Sequence, residues 1–538
     1  MRKLKPLIAG LILGFFISNG IALAANNGYL LSLFEVKIVV NGQEKKASDR
    51  QYQYYNGKTY VPASLIYDGT TYVPLRFFSE ILGQQVTYDS KGKAIHIGEI
   101  GATQSQPSAV NNDNTKTQQA ADYLIVLDND KLVGSVKDFI EYKKSQGYSI
   151  DYVVAGNITA KGSNNAERLR NYLIDLDKKD DLEFVLLIGD PFDAGKANKD
   201  NTGGSIPMKY FYYFSSCHNN EFVSKNWLFN ESGEGRENGA VPTDLYYYTD
   251  LIWDADKDGY FGEVTDDVTI KKNKSQFEYL YKLGRIPFND PETVSTILSN
   301  SIQKESEYAT KKVPLKVLTA GGMISFNKVI DGAFWAEKFR TNMANNKYQI
   351  TTLYEQQGEV HSKYSSTRPL TPENFSNEWN KGYDIICTIA HGGHQRYVWN
   401  SDTNKNGEPD EEYGNIFFEN FMSIEKAENI GNGFLIMDGC STAKMEKDRF
   451  EVNIPQMPEL LADGLIACGV GTTKENLLGP DELAASILPY WKNKNATYGG
   501  NFQDAIVNYF KNFPNDSFDY YHTMYSYNYL GDPSFKME

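Results

Sequence analysis

From Tyr123 onward the chain alternates short apolar runs with amphipathic stretches, and this alternation restricts the fold more than any other feature of its 538 residues. The runs YLIVLD, YSIDYVVA and FVLLIGD are separated by KDFIEYKKSQG and NAERLRNYLIDLDKK, and the theme returns in PLKVLTAGG, YQITTLY, YDIICTIA, GFLIMDG and GLIACGVG. Continuous apolar runs of this length suit strands buried on both faces, and the amphipathic segments between them suit crossover helices of βαβ units. The pattern predicts an α/β region over residues 122–538 with a mostly parallel sheet flanked by helices, divisible into two subdomains. A chain this long exceeds what one core organises, so further domains are expected.

The preceding residues read differently. Residues 1–24 carry Arg2, Lys3 and Lys5, then an apolar run over 7–17, then Ala22-Leu23-Ala24. Positive, apolar and small residues in that order form a secretory signal peptide. The apolar run is shorter than the roughly 20 residues of a spanning helix, so a secreted protein, extracellular or cell-wall associated, is expected. Residues 36–98 are β-rich, with the turn dipeptides Asn41-Gly42, Asn56-Gly57 and Asp68-Gly69 between β-branched and aromatic residues. Tyr60-Val61-Pro62 recurs as Tyr72-Val73-Pro74, and RFFSEILG reads as one short helix. YVPLRFFSEILG followed by VTYD resembles the copper amine oxidase N-terminal-like domain of exported Gram-positive proteins. His96 is the only histidine there and no cysteine accompanies it, so a wall-interaction or spacer module is expected rather than a metal centre. Residues 100–121 are small, polar and aperiodic, a flexible linker.

The formal charge is −15 and there are no basic blocks, which argues against nucleic acid or anionic lipid as partners. Four cysteines, Cys217, Cys387, Cys440 and Cys468, are too few for a disulfide scaffold in a chain of this size. Cys387, inside DIICTIA, reads as a packed thiol.

The residues that carry chemistry sit where two apolar runs stop. Residues 384–390 end in His391-Gly392-Gly393-His394, and residues 434–437 end in Asp438-Gly439-Cys440-Ser441-Thr442. Ligand sites of open parallel sheets form beyond the carboxyl ends of strands, so adjacency of these two strands would join a histidine and a cysteine that are distant in sequence. An imidazole lowers the pKa of a neighbouring thiol and later protonates the leaving amine. Cys440 is thus the candidate nucleophile and His391 the candidate acid/base, with His394 as a second candidate. The N–H groups of Gly392 and Cys440 are candidate oxyanion donors.

This pair of motifs resembles the clan of caspases, legumains and gingipains, and within it the gingipain-type cysteine peptidases. FVLLIGDPFD, SIPMKYFYY, VPTDLYYYTDLIWDADKDGYFGE, YKLGRIPFNDPETVSTILSNSIQKE and YNYLGDPS carry the resemblance by their order. It implies a caspase-like fold, a protein or peptide substrate, a thioester acyl-enzyme, and His391 as the acid/base because it directly precedes Gly392. Gingipains favour basic P1 residues. Some relatives orient their histidine with an acidic residue; no residue here matches it by motif, and Asp331 in NKVIDGAFW is a candidate.

Two acidic loops predict calcium. Asp254, Asp256 and Asp258, with Gly259 and Tyr260, follow the first half of an EF-hand-like loop, although Glu263 comes two positions early for the closing ligand. Asp402, Asn404 and Asn406, with Gly407 and then Asp410, Glu411 and Glu412, form a second. Two other functions compete. A metal-dependent hydrolase would use His391 and His394, but an HExxH helix is lacking. A non-catalytic surface adhesin on a peptidase-like fold is opposed by the presence of both His391 and Cys440.

Overall fold

In the computed structural model the apolar runs assemble into one 11-stranded sheet. The structure describes residues 121–537 except 181, 192–204, 213–239, 264–276, 312–313, 327–329, 346, 394–395, 410–431, 446–456, 475–485, 493–495 and 513–517, and ahead of residue 121 only short strands between 21 and 97. The first twenty residues of the signal peptide, the RFFSEILG helix, the linker up to residue 120, Cys217, His394, Asp410, Glu411 and Glu412 therefore lie outside the described residues. The chain divides into two compact units, residues 1–116 and 117–538.

In the first unit antiparallel pairs flank each of the three turn dipeptides, Val40 with Gln43, Tyr55 with Tyr60 and Tyr67 with Thr70, and the dipeptides themselves lie outside the described residues. Ile21–Ala24 pairs with Leu30–Leu33 at the edge of a four-stranded sheet.

In the second unit, β1 (Tyr123–Leu127), β2 (Ile150–Val154), β3 (Phe184–Ile188) and β6 (Lys282–Ile286) are parallel neighbours. A hairpin of β4 (Lys209–Tyr212) and β5 (Ala240–Thr243) stands apart from this sheet. The second half holds β7 (Leu315–Gly321), β10 (Tyr348–Tyr354), β11 (Arg368–Pro369), β12 (Ile385–Ile389), β15 (Asn432–Asp438) and β16 (Ile466–Thr472), parallel to one another. The last strand, β17 (Tyr527–Leu530), joins the halves, antiparallel to β16 and parallel to β6. Across the sheet the order is β2-β1-β3-β6-β17-β16-β15-β12-β7-β10-β11. The halves therefore run in opposite directions, and the seam between them is the antiparallel β16–β17 pair.

Helices cover the sheet. The helix Ala333–Met343 packs on β7 and β12, and Pro291–Thr310 packs on β16. Pro291–Thr310 starts with Asp290 accepting the Thr293 N–H at 2.8 Å and Pro291 in the first turn, a start that satisfies one orphan donor and places proline where no donor is lost. The two central strands of the second half are wholly buried, from Ile385 to Ile389 and from Asn432 to Asp438. That double-sided burial explains why their sequences are unbroken apolar runs.

Candidate active site

All parallel strands of the second half point their carboxyl ends at one edge, which collects the segments following β7, β10, β12, β15 and β16. Neighbours β12 and β15 pair in register, Ile389 opposite Asp438. Each chain then runs two residues further, to His391 and to Cys440. Ala390 N–H donates to the Asp438 carbonyl at 3.2 Å, extending the pairing by a step. A Cβ at position 392 would overlap the Cys440 carbonyl oxygen and come within 2.8 Å of the Cys440 nitrogen. The main chains of the two motifs are thus in contact, and only glycine permits it. His391 and Cys440 therefore leave adjacent carboxyl ends on main chains that touch at Gly392.

His391 opens a short antiparallel hairpin, β13 (His391–Gly393) with β14 (Arg396–Val398). Its Nε2 lies 2.7 Å from the carbonyl oxygen of Ile324. A carbonyl only accepts, so Nε2 carries the proton, and in the neutral ring Nδ1 is then the basic nitrogen. Ile324 belongs to β8 (Met323–Ser325), which pairs with β9 (Ile330–Asp331) on one side and bridges to Asn400 on the other. Asp331 does not supply the contact recorded for Nε2. Its carboxylate accepts from Ala333 N–H at 2.9 Å and from Ser362 Oγ at 2.7 Å, so it caps the start of the following helix. Burial raises its pKa, and those hydrogen bonds pull the other way.

Cys440 is half-buried, whereas Cys387 and Cys468 are fully buried. Burial pushes both of those thiols well up, the inert state of a packed cysteine. The turn that presents Cys440 is tight. Ser441 adopts φ +55°, a region costly for a residue with a side chain. It is fixed by Ser441 N–H to the Lys474 carbonyl (2.9 Å) and by Thr442 Oγ1 to the Met437 carbonyl (2.7 Å). Thr472 adds its N–H to Thr442 Oγ1 at 3.1 Å and its hydroxyl to the Gly439 carbonyl. Two residues before Cys440, the buried Asp438 carboxylate accepts Tyr527 Oη and Ser486 Oγ, each at 2.5 Å. Neither the Ile324 carbonyl nor these hydroxyl partners could be singled out from sequence. The first is a main-chain atom without residue identity, and the others lie outside any motif.

The acidic loops wind alike. Lys257 and Lys405, at the fourth position of each, have φ +64° and +59°, and Gly259 and Gly407, at the sixth, have +87° and +78°. Asp256 Oδ1 accepts Asp258 N–H and Asp258 Oδ1 accepts Tyr260 N–H, matched by Asn404 with Asn406 and Asn406 with Glu408. Carboxylate oxygens of Asp254, Asp256 and Asp258 lie within 4.8 Å of one another. Asp254 Oδ1 is buried without a hydrogen-bond partner, and burial, aided by the charges of Asp258 and Asp256, raises its pKa. An orphaned oxygen amid repelling carboxylates fits a cation. Glu263 is buried nearby in sequence. In the second loop burial raises the Asp402 pKa, but N–H donors from Glu359, Asn406 and Gly407 outweigh it and hold the carboxyl low.

A parallel sheet delivering a histidine and a cysteine from adjacent strand ends is the framework of a thiol-dependent hydrolase. The model of peptidase family C25 matches residues 116–538, and the chain belongs to this family of cysteine peptidases. The copper amine oxidase N-terminal domain model matches residues 63–131. It starts later and runs further than residues 36–98, and its last part overlaps β1 of the peptidase sheet. Among solved structures the chain is similar to the Arg-specific cysteine proteinase gingipain R, at 15% identity over 78% of this chain and 79% of that one, with a TM-score of 0.47. A complex of the pro- and mature domains of RgpB from Porphyromonas gingivalis matches at 15% identity, 77% and 79% coverage and a TM-score of 0.44. A structure described as a protease matches at 14%, 77% and 78%, and 0.45. No curated protein matches the chain.

Proposed function

We propose that this chain is an exported bacterial cysteine endopeptidase in which Cys440 attacks the scissile carbonyl and His391 moves the protons. The observation that carries this reading is the register of Ile389 with Asp438, with Gly392 against the Cys440 main chain. His391 takes the thiol proton, and the Cys440 thiolate adds to the carbonyl carbon. The tetrahedral oxyanion is held by the N–H groups of Gly392 and Cys440. His391 then protonates the leaving amine, giving a thioester at Cys440. A water that gives its proton to His391 attacks the thioester, and the acid product leaves as the thiol re-forms. A metal-dependent hydrolase is the weaker reading, because the chain belongs to a family of cysteine peptidases and carries no HExxH sequence.

His391→Ala is expected to lower kcat/KM by about 10²–10⁴-fold and to slow alkylation of Cys440 by iodoacetamide, since the imidazole stabilises the thiolate. His394→Ala should do less; the reverse ranking would transfer the role to His394. Labelling that persists in EDTA separates this chemistry from a metal hydrolase.

Calcium is proposed as a structural ion held by Asp254, Asp256, Asp258, the Tyr260 carbonyl and Glu263, with a second at Asp402, Asn404, Asn406 and Asp410. Its chemistry is to neutralise packed carboxylates; no step of the reaction passes through it. Extracellular sites bind at roughly 10⁻⁴–10⁻³ M, so millimolar calcium should raise the melting temperature by about 1–4 °C. Replacing Asp254 and Asp256 by Ala should blunt that rise, and an unchanged melting curve with and without calcium would remove the assignment. Export is supported by the charge and hydropathy order of residues 1–24, and the N-terminal module is proposed to contact a cell-wall component. Among the described residues no helix is long and apolar enough to cross a membrane.

A further inference from the structure

We propose that Asn400 is the positioning residue of the His391–Cys440 pair: its side-chain amide holds the Ile324 carbonyl that keeps the proton on His391 Nε2. The inference rests on the peptidase reading above and adds to it a residue outside both strand-end motifs.

The Ile324 oxygen has two lone pairs. One accepts His391 Nε2–H at 2.7 Å, and the other accepts Asn400 Nδ2–H at 2.9 Å. The main chain of Asn400 adds a second grip, its N–H donating to the Met323 carbonyl at 2.8 Å. Consecutive carbonyls of β8 are therefore held by one residue, through its backbone and its side chain. Two attachments fix both the position and the rotation of the peptide plane that faces the imidazole. On its other edge β8 pairs Met323 with Asp331, so the strand is clamped from both sides.

Asn400 is itself anchored. The preceding Trp399 is buried, and its indole Nε1–H donates to Glu355 Oε2 at 2.6 Å. Glu355 is a buried carboxylate one residue beyond β10, and it also accepts Gln357 N–H at 2.7 Å. On its other flank Trp399 presses on Gly322, where an added Cβ would overlap the Trp399 side chain. Gly322 directly precedes β8. The anchor of Asn400 and the strand it clamps thus meet at one glycine, and the chain of contacts runs from Glu355 through Trp399 and Asn400 to the Ile324 carbonyl and His391.

A neutral carbonyl in this place orients the ring and selects its tautomer without adding a negative charge. Orientation therefore depends on how firmly the carbonyl is held. An amide can donate to it; a carboxylate of the same shape cannot, and would present lone pairs to a lone pair.

The test compares Asn400→Ala, the near-isosteric Asn400→Asp and Asp331→Asn with the full chain. Hydrolysis of fluorescein-labelled casein gives apparent kcat and KM, iodoacetamide labelling of Cys440 read by mass spectrometry gives thiolate reactivity, and melting temperature monitors the fold. Loss of an orienting partner behind a metal-binding histidine costs about 10–100-fold, and a loss of that order is expected here. That loss should fall on kcat in both Asn400 variants, with KM within about twofold and labelling of Cys440 slowed in parallel, because the Asn400 amide acts on the ring rather than on bound substrate. Asp331→Asn, which keeps an acceptor for Ala333 N–H and Ser362 Oγ, should lower kcat less than either Asn400 variant. If Asn400→Ala fails to fold, Asn400→Asp decides alone, since it keeps the volume and removes the donor. Unchanged kcat in a folded Asn400 variant, or a larger kcat loss in Asp331→Asn, overturns the proposal while leaving the peptidase reading in place. An unaltered protein that neither cleaves casein nor labels at Cys440 removes both.

Discussion

Cys440→Ala is expected to abolish peptide hydrolysis while leaving the fold intact, a larger loss than that of His391→Ala, because without the sulfur no acyl-enzyme can form. The position is half-buried and its side chain lies at a strand end rather than in the core, so removing one sulfur should leave stability nearly unchanged. The variant also isolates the reactive thiol. Cys387 and Cys468 are enclosed in the sheet with their pKa values pushed up, so neither should take up iodoacetamide in the native state. Among these three cysteines, rapid labelling should be confined to Cys440 and vanish in the variant. Equal hydrolysis by the two proteins would end the assignment of the nucleophile.

Asp244→Ala is expected to cost about 3–5 kcal/mol of stability, the penalty for leaving a buried charge without its partner. Arg285 on β6 is fully buried and makes a bidentate pair with Asp244, Nε to Oδ2 at 2.7 Å and Nη2 to Oδ1 at 2.6 Å. Its remaining recorded bond is to the Ile206 carbonyl at 2.9 Å. Removing Asp244 leaves the guanidinium with a neutral acceptor in a site shielded from water. An exposed pair such as Lys144–Glu141 is worth at most about 1 kcal/mol, so urea denaturation separates the two cases readily. The double variant Asp244→Leu with Arg285→Met should recover most of the loss, since apolar replacement of both partners is often close to neutral. A cost below about 1 kcal/mol for Asp244→Ala would show that the guanidinium finds other partners.

That ion pair also shows where sequence reading stops. Eight apolar runs read as strands are strands of the sheet; β1, β3, β12, β15 and β16 are buried along their whole length, which leaves an almost unbroken apolar signature, while the edge strand β2 and β10 are only partly covered. β6 carries Gly284 and Arg285 within five residues, and its polarity is resolved only by Asp244, distant in the chain. β17 reads as Tyr-Asn-Tyr-Leu, a composition that does not announce a central strand, and β11 is only two residues long. The His391 and Cys440 motifs were legible because each couples a strand end to glycine and a reactive side chain. What orients His391 was not, since an acidic residue such as Asp331 can be sought by type whereas the Ile324 carbonyl can only be found by geometry. Asn400 was hidden for the same reason, as one asparagine in a polar stretch with no spacing to mark it.

The place of β17 bears on when the enzyme can exist during its own synthesis. It is inserted between β6 and β16, yet it is made after every other strand of the sheet. Its segment also brings Tyr527 to Asp438 behind the Cys440 turn, Asn528 to the Asp244 N–H, and Asp532 to Tyr123, 409 residues away. Until β17 has been made, a nascent chain holds two half-sheets with no strand to join them. Closure of so distant a pairing is slow, and it must wait for the last strand to arrive. The seam of the sheet is thereby sealed only when β17 arrives, and until then neither half has its neighbour.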